Sequence, residues 1–375
     1  MSIVTDQARS DNPIAGGVDT HAEVNVVAAI DPIGRELGHA SFATTAKGNC
    51  ELLDWLKSHG RVTIIGIEGT GAYGASLTRA ATSAGSMVVE VDRPDRKSRR
   101  FAGKSDPIDA YAAARAALSG RACGTPKSRD GNVEMIRVLR IARSGAVKAR
   151  IVAKTQLKAV IKTAPSGLRD DLRHLDGTAL LNRCARFRPA RGQTPPTSPH
   201  AKRTPRHGRL LDPTAATKHT LKILAQRVHA LDEEITQLDD DLTMLVVETA
   251  PELISTYGVG PDVAGQILVT VGDNPDRLHS SAAFAHLCGV APIPASSGKT
   301  NRHRLNRGGD RQANAALYRV AMVRLRYDTR TQAYRDRLAA EQKTNKEILR
   351  CLKRAIAREI YQAIKTDFKI PDPPS

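Results

Sequence analysis

Between residues 221 and 245 the chain places Leu221, Leu224, Val228, Leu231, Ile235, Leu238, Leu242 and Leu245 in alternating steps of three and four. This is a heptad seam held for more than three repeats, and it predicts one long helix with a narrow apolar stripe. Such a stripe is stable only when another helix covers it. The basic, helical segment from about Val133 to Val160 can do so within the same chain, and a second copy can do so between chains. The expectation is both: an antiparallel hairpin that also supports a homo-oligomer, a dimer or a tetramer.

The residues before this region follow a different period. GGVDTH leads into NVVAAID, a third extended stretch runs near Glu36 to Thr44, and Gly34 marks the turn in DPIGRE. Three short strands joined by turns predict an antiparallel meander. A helical segment over Lys47–Ser58 carries Leu52, Leu53 and Leu56 on one face. VTIIGIE (62–68) is an apolar, β-branched run and reads as a buried central strand. A helix near 72–84, the strand MVVEV (87–91) and an alanine-rich helix after GKSDPIDAYAAA (103–114) complete a β-β-β-α-β-α-β-α unit.

Charge narrows the class of partner. There are 57 Lys and Arg against 39 Asp and Glu, a formal net charge of +18. That excess favours a polyanion, and nucleic acid before a membrane surface. Aromatic residues are only 3%, which argues against base stacking as the main mode of contact. No apolar run reaches the roughly 18 residues of a membrane span, and no signal-peptide core follows Met1, so a cytosolic protein is expected. The five cysteines, Cys50, Cys123, Cys184, Cys288 and Cys351, have no CxxC spacing and indicate neither a disulfide framework nor a zinc site.

Residues 186–209, RFRPARGQTPPTSPHAKRTPRHGR, hold seven Arg or Lys, five Pro and no acid. They are expected to be flexible and solvated, as a linker or as a tail that orders on phosphates. LISTYGVGPDVAGQIL (253–268) reads as two short helices around a glycine turn, whose backbone N–H groups can meet a phosphate.

The carboxylates carry the chemistry. Asp19 lies on the first strand, Glu68 ends the central strand, and Asp106 and Asp109 share one face at the start of the last helix of the unit. Any of them alone can be explained as a helix cap or a turn residue. Together they predict a cluster that repels itself unless a cation neutralises it, and an oxygen-rich site of this kind suits Mg²⁺ or Mn²⁺. Such ions support phosphodiester cleavage. Further on, SSGKTNRHRLNRGG places Ser297 before a glycine, with Lys299, Arg302, Arg304 and Arg307 following. A serine needs its proton removed and the phosphate charge offset before it can attack, and the cations supply the second need. A phosphate-binding loop without covalent chemistry remains the alternative.

The order of elements and acids resembles the ribonuclease H-like fold, in its RuvC resolvase-like branch with a DEDD tetrad. GVDTH, EGTGAY and KSDPIDA resemble the N-terminal motifs of the DEDD transposases of the insertion-sequence family "IS one-ten". GVGPDVAGQIL and FAHLCGVAPIPASSGKTNRHRLNRGGDRQANAALY resemble that family's C-terminal domain. The resemblance implies an α/β catalytic domain over 16–125 after a flexible start at 1–15. It implies a helical coiled-coil connector over 130–250 with a basic, Pro-rich insertion at about 165–215. A mostly α-helical serine-containing transposase domain over 251–367 and a tail at 368–375 complete the chain.

It also implies DNA cleavage and rejoining to mobilise an insertion sequence. Asp19, Glu68, Asp106 and Asp109 would hold Mg²⁺ or Mn²⁺. Ser297, with Ser296 beside it as the alternative, would form a covalent phosphoserine link to DNA, and a noncoding bridge RNA would guide the reaction. Two rival readings stand beside this one: a junction nuclease that uses water, and an inactive, transposase-derived nucleic-acid-binding protein.

Overall fold

The computed structural model describes residues 12–91, 105–193, 208–295 and 303–371. The chain divides into two compact units. One comprises the N-terminal residues to Gly131 together with Val271–Ser280, and the other Asn132–Thr270 with Ser281–Pro371.

The first unit is built on a five-stranded sheet. Strands β1 (Pro13–Thr20), β2 (Val24–Ile30) and β3 (Glu36–Ala43) form the expected antiparallel meander, and β4 (Arg61–Glu68) and β5 (Val88–Val91) join in parallel, in the order β3-β2-β1-β4-β5. Parallel neighbours need a crossover, and helices α1 (Ala46–His59) and α2 (Ala75–Ser83) supply it. Leu52, Leu56 and Leu77 pack with Ile14, Val18, Ile65 and Ile67 on one face of the sheet.

The opposite face carries α3 (Asp106–Leu118), and here the sequence is unusual. β1 and β4 present Gly17 and Gly66 to this helix. A Cβ on Gly17 would lie 2.1 Å from the Ala114 backbone nitrogen, and one on Gly66 would lie 2.6 Å from the Ala113 carbonyl oxygen. The helix backbone therefore rests directly on the sheet. That explains why α3 is alanine-rich: larger side chains would hold it away. Ala110, Ala113, Ala114 and Ala117 are all buried.

In the second unit, α4 (Asn132–Lys162) and α7 (Pro213–Thr249) pack antiparallel. Leu221, Leu224, Val228, Ile235 and Leu242 of the seam are buried, while Leu231, Leu238 and Leu245 are half-buried. Ion pairs fix the register. Arg143 pairs with Asp239 and Arg150 with Asp232, so seven residues forward on α4 match seven back on α7.

Residues within the expected 165–215 insertion also fold. Helices α5 (Ser166–Leu172) and α6 (Gly177–Ala185) bring Leu168, Leu172, Leu181 and Cys184 into the core formed by Leu157, Leu221 and Val228. The apolar spacing in GLRDDL and ALLNRC supports those helices. The Pro-rich heart of the insertion, 194–207, lies outside the described residues.

The chain continues through α8 (Pro251–Ser255), α9 (Pro261–Val271) and α10 (Ser281–Leu287), then the short antiparallel strands β6 (Ile293–Pro294) and β7 (His303–Arg304). It ends with α11 (Arg311–Tyr327), α12 (Thr329–Ala340) and α13 (Asn345–Asp367). Among the described residues, no helix is long and apolar enough to cross a membrane.

Candidate active site

Alternation along the strands fixes where the acids lie. Val18 pairs with Ile67, so the next residues along, Asp19 and Glu68, are cross-strand neighbours. Each stands two residues beyond the glycine that faces α3, and so points to the same face of the sheet as that glycine. Two strand residues advance about 6.6 Å, and four helix residues advance about 6 Å. One step beyond the contact of Gly17 with Ala110 and Ala114 thus brings the first turn of α3, with Asp106 and Asp109, level with Asp19.

The strand ends are pinned together. Thr20 Oγ1 donates to the Glu68 carbonyl at 2.8 Å. The chain then turns at Gly69, whose φ of +72° lies in the left-handed region that favours glycine.

Three ligand-type atoms, from Asp19, His21 and Asp106, lie within 4.8 Å of one another. His21 Nε2 sits 3.1 Å from Asp19 Oδ2 and 3.5 Å from Asp106 Oδ1. Asp106 is the first residue of α3, and the cap position before it is Ser105, so its carboxylate faces His21 instead of closing the helix end. Asp19 and Asp109 are buried, whereas Asp106 is half-buried.

The Asp19 carboxyl is pushed above its ordinary range. Burial is the main cause; His21 opposes it, and the neighbouring charges of Asp109 and Asp106 add to it. Removal from water and two nearby like charges thus both favour the protonated carboxyl, and burial is the larger effect. The donor set fits a hard divalent cation, and His21 contributes a nitrogen that Mn²⁺ accepts more readily than Mg²⁺.

Two residues near the site were not singled out by sequence. His21 reads as a simple neighbour of Asp19, because strand spacing does not show that its ring reaches across to α3. Arg129 has the second claim. Its backbone φ of 57° is rare for a side-chain-bearing residue, and its guanidinium lies 3.2 Å from where a Cβ on Gly71 would stand, beside the turn after Glu68. The GTG turn gives no hint of either partner.

The described residues on either side of the serine segment belong to the second unit. Ser296, Ser297, Lys299 and Arg302 lie outside the described residues, while β6 and β7 flank them in sequence. Arg304 is exposed on β7, and Arg307 follows it, also exposed. Two glycines of the motif, Gly289 and Gly309, lie against each other. A Cβ on Gly309 would lie 2.1 Å from the Gly289 backbone nitrogen, so the CGVAP and RGGD stretches touch backbone to backbone.

Comparison with known proteins identifies two family models along the chain. A family model described as "Transposase", of the DEDD IS110 type, matches residues 16–164. A second, "Transposase IS116/IS110/IS902 family", matches residues 250–336. An uncharacterized 43.6 kDa protein of insertion element IS110 from Streptomyces coelicolor is 33% identical over 129 residues, covering 34% of this chain and 32% of the relative. An uncharacterized 42 kDa protein of insertion element IS900 from Mycobacterium paratuberculosis is 29% identical over 138 residues, covering 35% and 34%. These matches span about a third of each relative's length. The two matched regions contain, respectively, the four carboxylates and the serine motif, and the chain belongs to the IS110 family of transposases.

Proposed function

We propose that this protein cleaves and rejoins DNA strands to mobilise its own insertion sequence. The observation that carries the reading is the convergence of Asp19, Asp106 and Asp109 on the α3 face of the sheet, with Glu68 beside Asp19 across β1 and β4. The arrangement supports a RuvC-like, ribonuclease H-like domain over 16–125. A coiled-coil connector over 130–250 and a serine-containing domain over 251–367 follow.

Asp19, Glu68, Asp106 and Asp109 would hold Mg²⁺ or Mn²⁺, with His21 between two of them. When bound, a divalent cation offsets carboxylate charge and stabilises the charged oxygens of a phosphodiester undergoing displacement. Gly17 and Gly66 position the carboxylates by letting α3 sit against the strands. Ser297 would attack phosphorus through Oγ. A P–Oγ bond forms, the bond to the departing strand breaks, and the serine proton passes to a base. Rejoining reverses the exchange when a strand hydroxyl attacks the phosphoserine and releases Oγ. Lys299, Arg302, Arg304 and Arg307 would hold the phosphates.

A noncoding bridge RNA would supply sequence recognition by base pairing. The basic, aromatic-poor composition supports a protein that holds backbones while pairing reads sequence. The enzyme would work as a homo-oligomer in the cytoplasm, at the nucleoid.

The test is to trap a protein–DNA adduct with Mg²⁺ and element-derived nucleic acids. An adduct abolished in Ser297→Ala and in Asp19→Asn but retained in Ser296→Ala is the expected result. Metal-dependent nicking with no adduct in the parent would replace this reading with a nuclease that uses water.

A further inference from the structure

Helix α13 divides its surface by spacing. Ile348, Leu352, Ile356, Ile360 and Ile364 recur every four residues and are buried in the core of the second unit. Beside that stripe run Arg350, Arg354 and Arg358, also four apart, with Lys353 between them. These residues, together with Arg304 on β7, line a cavity of about 960 Å³. The lining holds six Lys or Arg and a single carboxylate, Glu347.

Glu347 is already committed, since it closes the capping box with Thr344 at the start of α13. Among the described residues, Arg304, Lys353, Arg354 and Arg358 form no ion pair. Lys353 is the strongest signal. It is only 9% exposed, and Nζ donates to the neutral Asn314 Oδ1 at 2.8 Å. Asn314 is fixed in turn, because its amide donates to the Cys288 and Gly289 carbonyls at 3.0 Å each. An ammonium this deep, with an amide partner in place of a carboxylate, is costly unless an anion arrives. Burial pushes both Lys353 and Arg354 below their usual range, and the neighbouring charges of Arg350 and Arg358 push the same way.

The cavity exceeds what one phosphate ion needs, and Tyr334 is its one Phe, Tyr or Trp. A chain of phosphates fits better than a stacked base or an isolated nucleotide.

We propose that this cavity is a binding site for the phosphodiester backbone of a nucleic-acid strand, with Arg304, Lys353, Arg354 and Arg358 holding its phosphates. The proposal rests on the reading of the protein as an enzyme acting on DNA, and it extends the phosphate grip from Arg304, at the end of the serine motif, onto Lys353, Arg354 and Arg358 of α13, away from the carboxylate site. The experiment measures binding of the full chain to fluorescein-labelled DNA and RNA oligonucleotides of one sequence across a salt series. Each phosphate that a cation no longer neutralises lowers the slope of log K against log salt by about 0.9 on duplex DNA and about 0.7 on a single strand.

An R304A/R354A/R358A variant should reduce the slope by about two to three times that amount, while a K148A/K154A/K158A control on α4 keeps the parental slope. The nucleic acid with the larger reduction, after division by the per-phosphate value for its form, identifies DNA or RNA as the occupant. K353M should weaken binding and at the same time raise the midpoint of unfolding without nucleic acid, which a merely structural lysine would not do. Equal slopes in the cavity variant and the parent, or equal reductions in the α4 control, would overturn the proposal. Asp19→Asn separates the two readings: it should abolish cleavage and leave this binding intact, whereas an R304A/R354A/R358A variant that binds and cleaves DNA as the parent does sinks only the cavity's role.

Discussion

Gly16 and Gly17 are adjacent in β1 and face opposite sides of the sheet, so alanine at each tests the architecture of the site with its own control. A Cβ on Gly16 meets Leu56 Cδ1 at 3.0 Å and Cδ2 at 3.1 Å, the free ends of a side chain. A Cβ on Gly17 meets the Ala114 nitrogen at 2.1 Å and the Ala110 carbonyl oxygen at 2.2 Å, both helix backbone. Neither backbone is in the left-handed region, so each alanine gains about 0.4–1 kcal/mol by restricting the unfolded chain. At Gly16 that gain nearly offsets a small repacking cost, and the net change should stay within about 1 kcal/mol. At Gly17 the helix must retreat by about 1.3 Å to recover an ordinary 3.4 Å contact. The cost falls at the upper end of the overpacking range, about 3 kcal/mol.

Trp55 is the one tryptophan of the chain and packs near Phe42 and His59 in the first unit. Its fluorescence during urea unfolding therefore reports on the unit in question. Gly17→Ala should unfold at least about 2 kcal/mol below Gly16→Ala. The same retreat carries Asp106 and Asp109 away from Asp19, and a misplacement near 1 Å costs about 10²-fold in rate. Metal-dependent cleavage by the folded Gly17→Ala protein should drop accordingly. Equal stability of the two variants, within about 0.5 kcal/mol, would show that α3 does not rest on β1 at Gly17.

Asp19 provides a second test. Its raised folded pKa means that its contribution to stability falls as pH climbs from the ordinary carboxylate range through the folded value, so Asp19→Asn should be more stable than the parent at neutral pH without metal. Added Mn²⁺ should reverse the order, because the parent gains about 2.7 kcal/mol at a hundredfold excess over Kd and the variant gains little; Trp55 unfolding with and without the ion decides. The thiols give a third. Burial raises Cys184 to about 11 and Cys288 further still, so both should resist a thiolate-trapping reagent in the native protein, while exposed Cys50 and Cys123 react first. Peptide mapping after timed labelling would read the order, and early labelling of Cys288 would contradict its burial.

Much of this fold was legible because its signals are periodic. The apolar run at 62–68, the meander before it and the leucine seam each follow one period, and the structure contains β4, β1–β3 and the α4–α7 pair at those places. Asp19 and Asp106 were legible as neighbours because alternation and helix spacing constrain where they point, and the structure groups those two with His21. What sequence did not show are contacts across elements. His21 reaches Asp106 over a separation of 85 positions, and nothing local announces it. The stripe Arg350, Arg354 and Arg358 has the spacing of an ordinary solvated helix face. The packing of 289–292, β7, Tyr334 and 342–344 around it makes it a cavity.

GVGPDVAGQIL shows the opposite effect. The sequence points to a phosphate-binding turn through its backbone N–H groups and gives no sign that the Asp262 side chain, at the start of α9, is engaged within the unit. Burial would raise its carboxyl, and Arg140 at 2.8 Å, Arg319 at 3.0 Å and Arg143 at 3.8 Å more than offset that, holding it below the usual range. An acid that gathers three arginines organises α9 against α4 and α11, and those cations are partly neutralised before any phosphate arrives.

The same distinction sorts the most distinctive part of the C-terminal motif. In RGGDRQ the acid is a builder: Asp310 accepts from the backbone N–H groups of Gln312 and Ala313 to start α11, and from Thr270 Oγ1 at 2.8 Å. Its glycines let two backbone segments touch. With its acid occupied by capping, this region offers positive charge to a ligand, whereas the grouped acids of the first unit, Asp19 and Asp106 with His21, offer negative charge to a cation. A phosphodiester enzyme needs both, and they conflict when mixed, since a carboxylate placed among phosphate-binding arginines neutralises the charge meant for the phosphate. Carrying acid and base on separate compact units of one chain resolves that conflict.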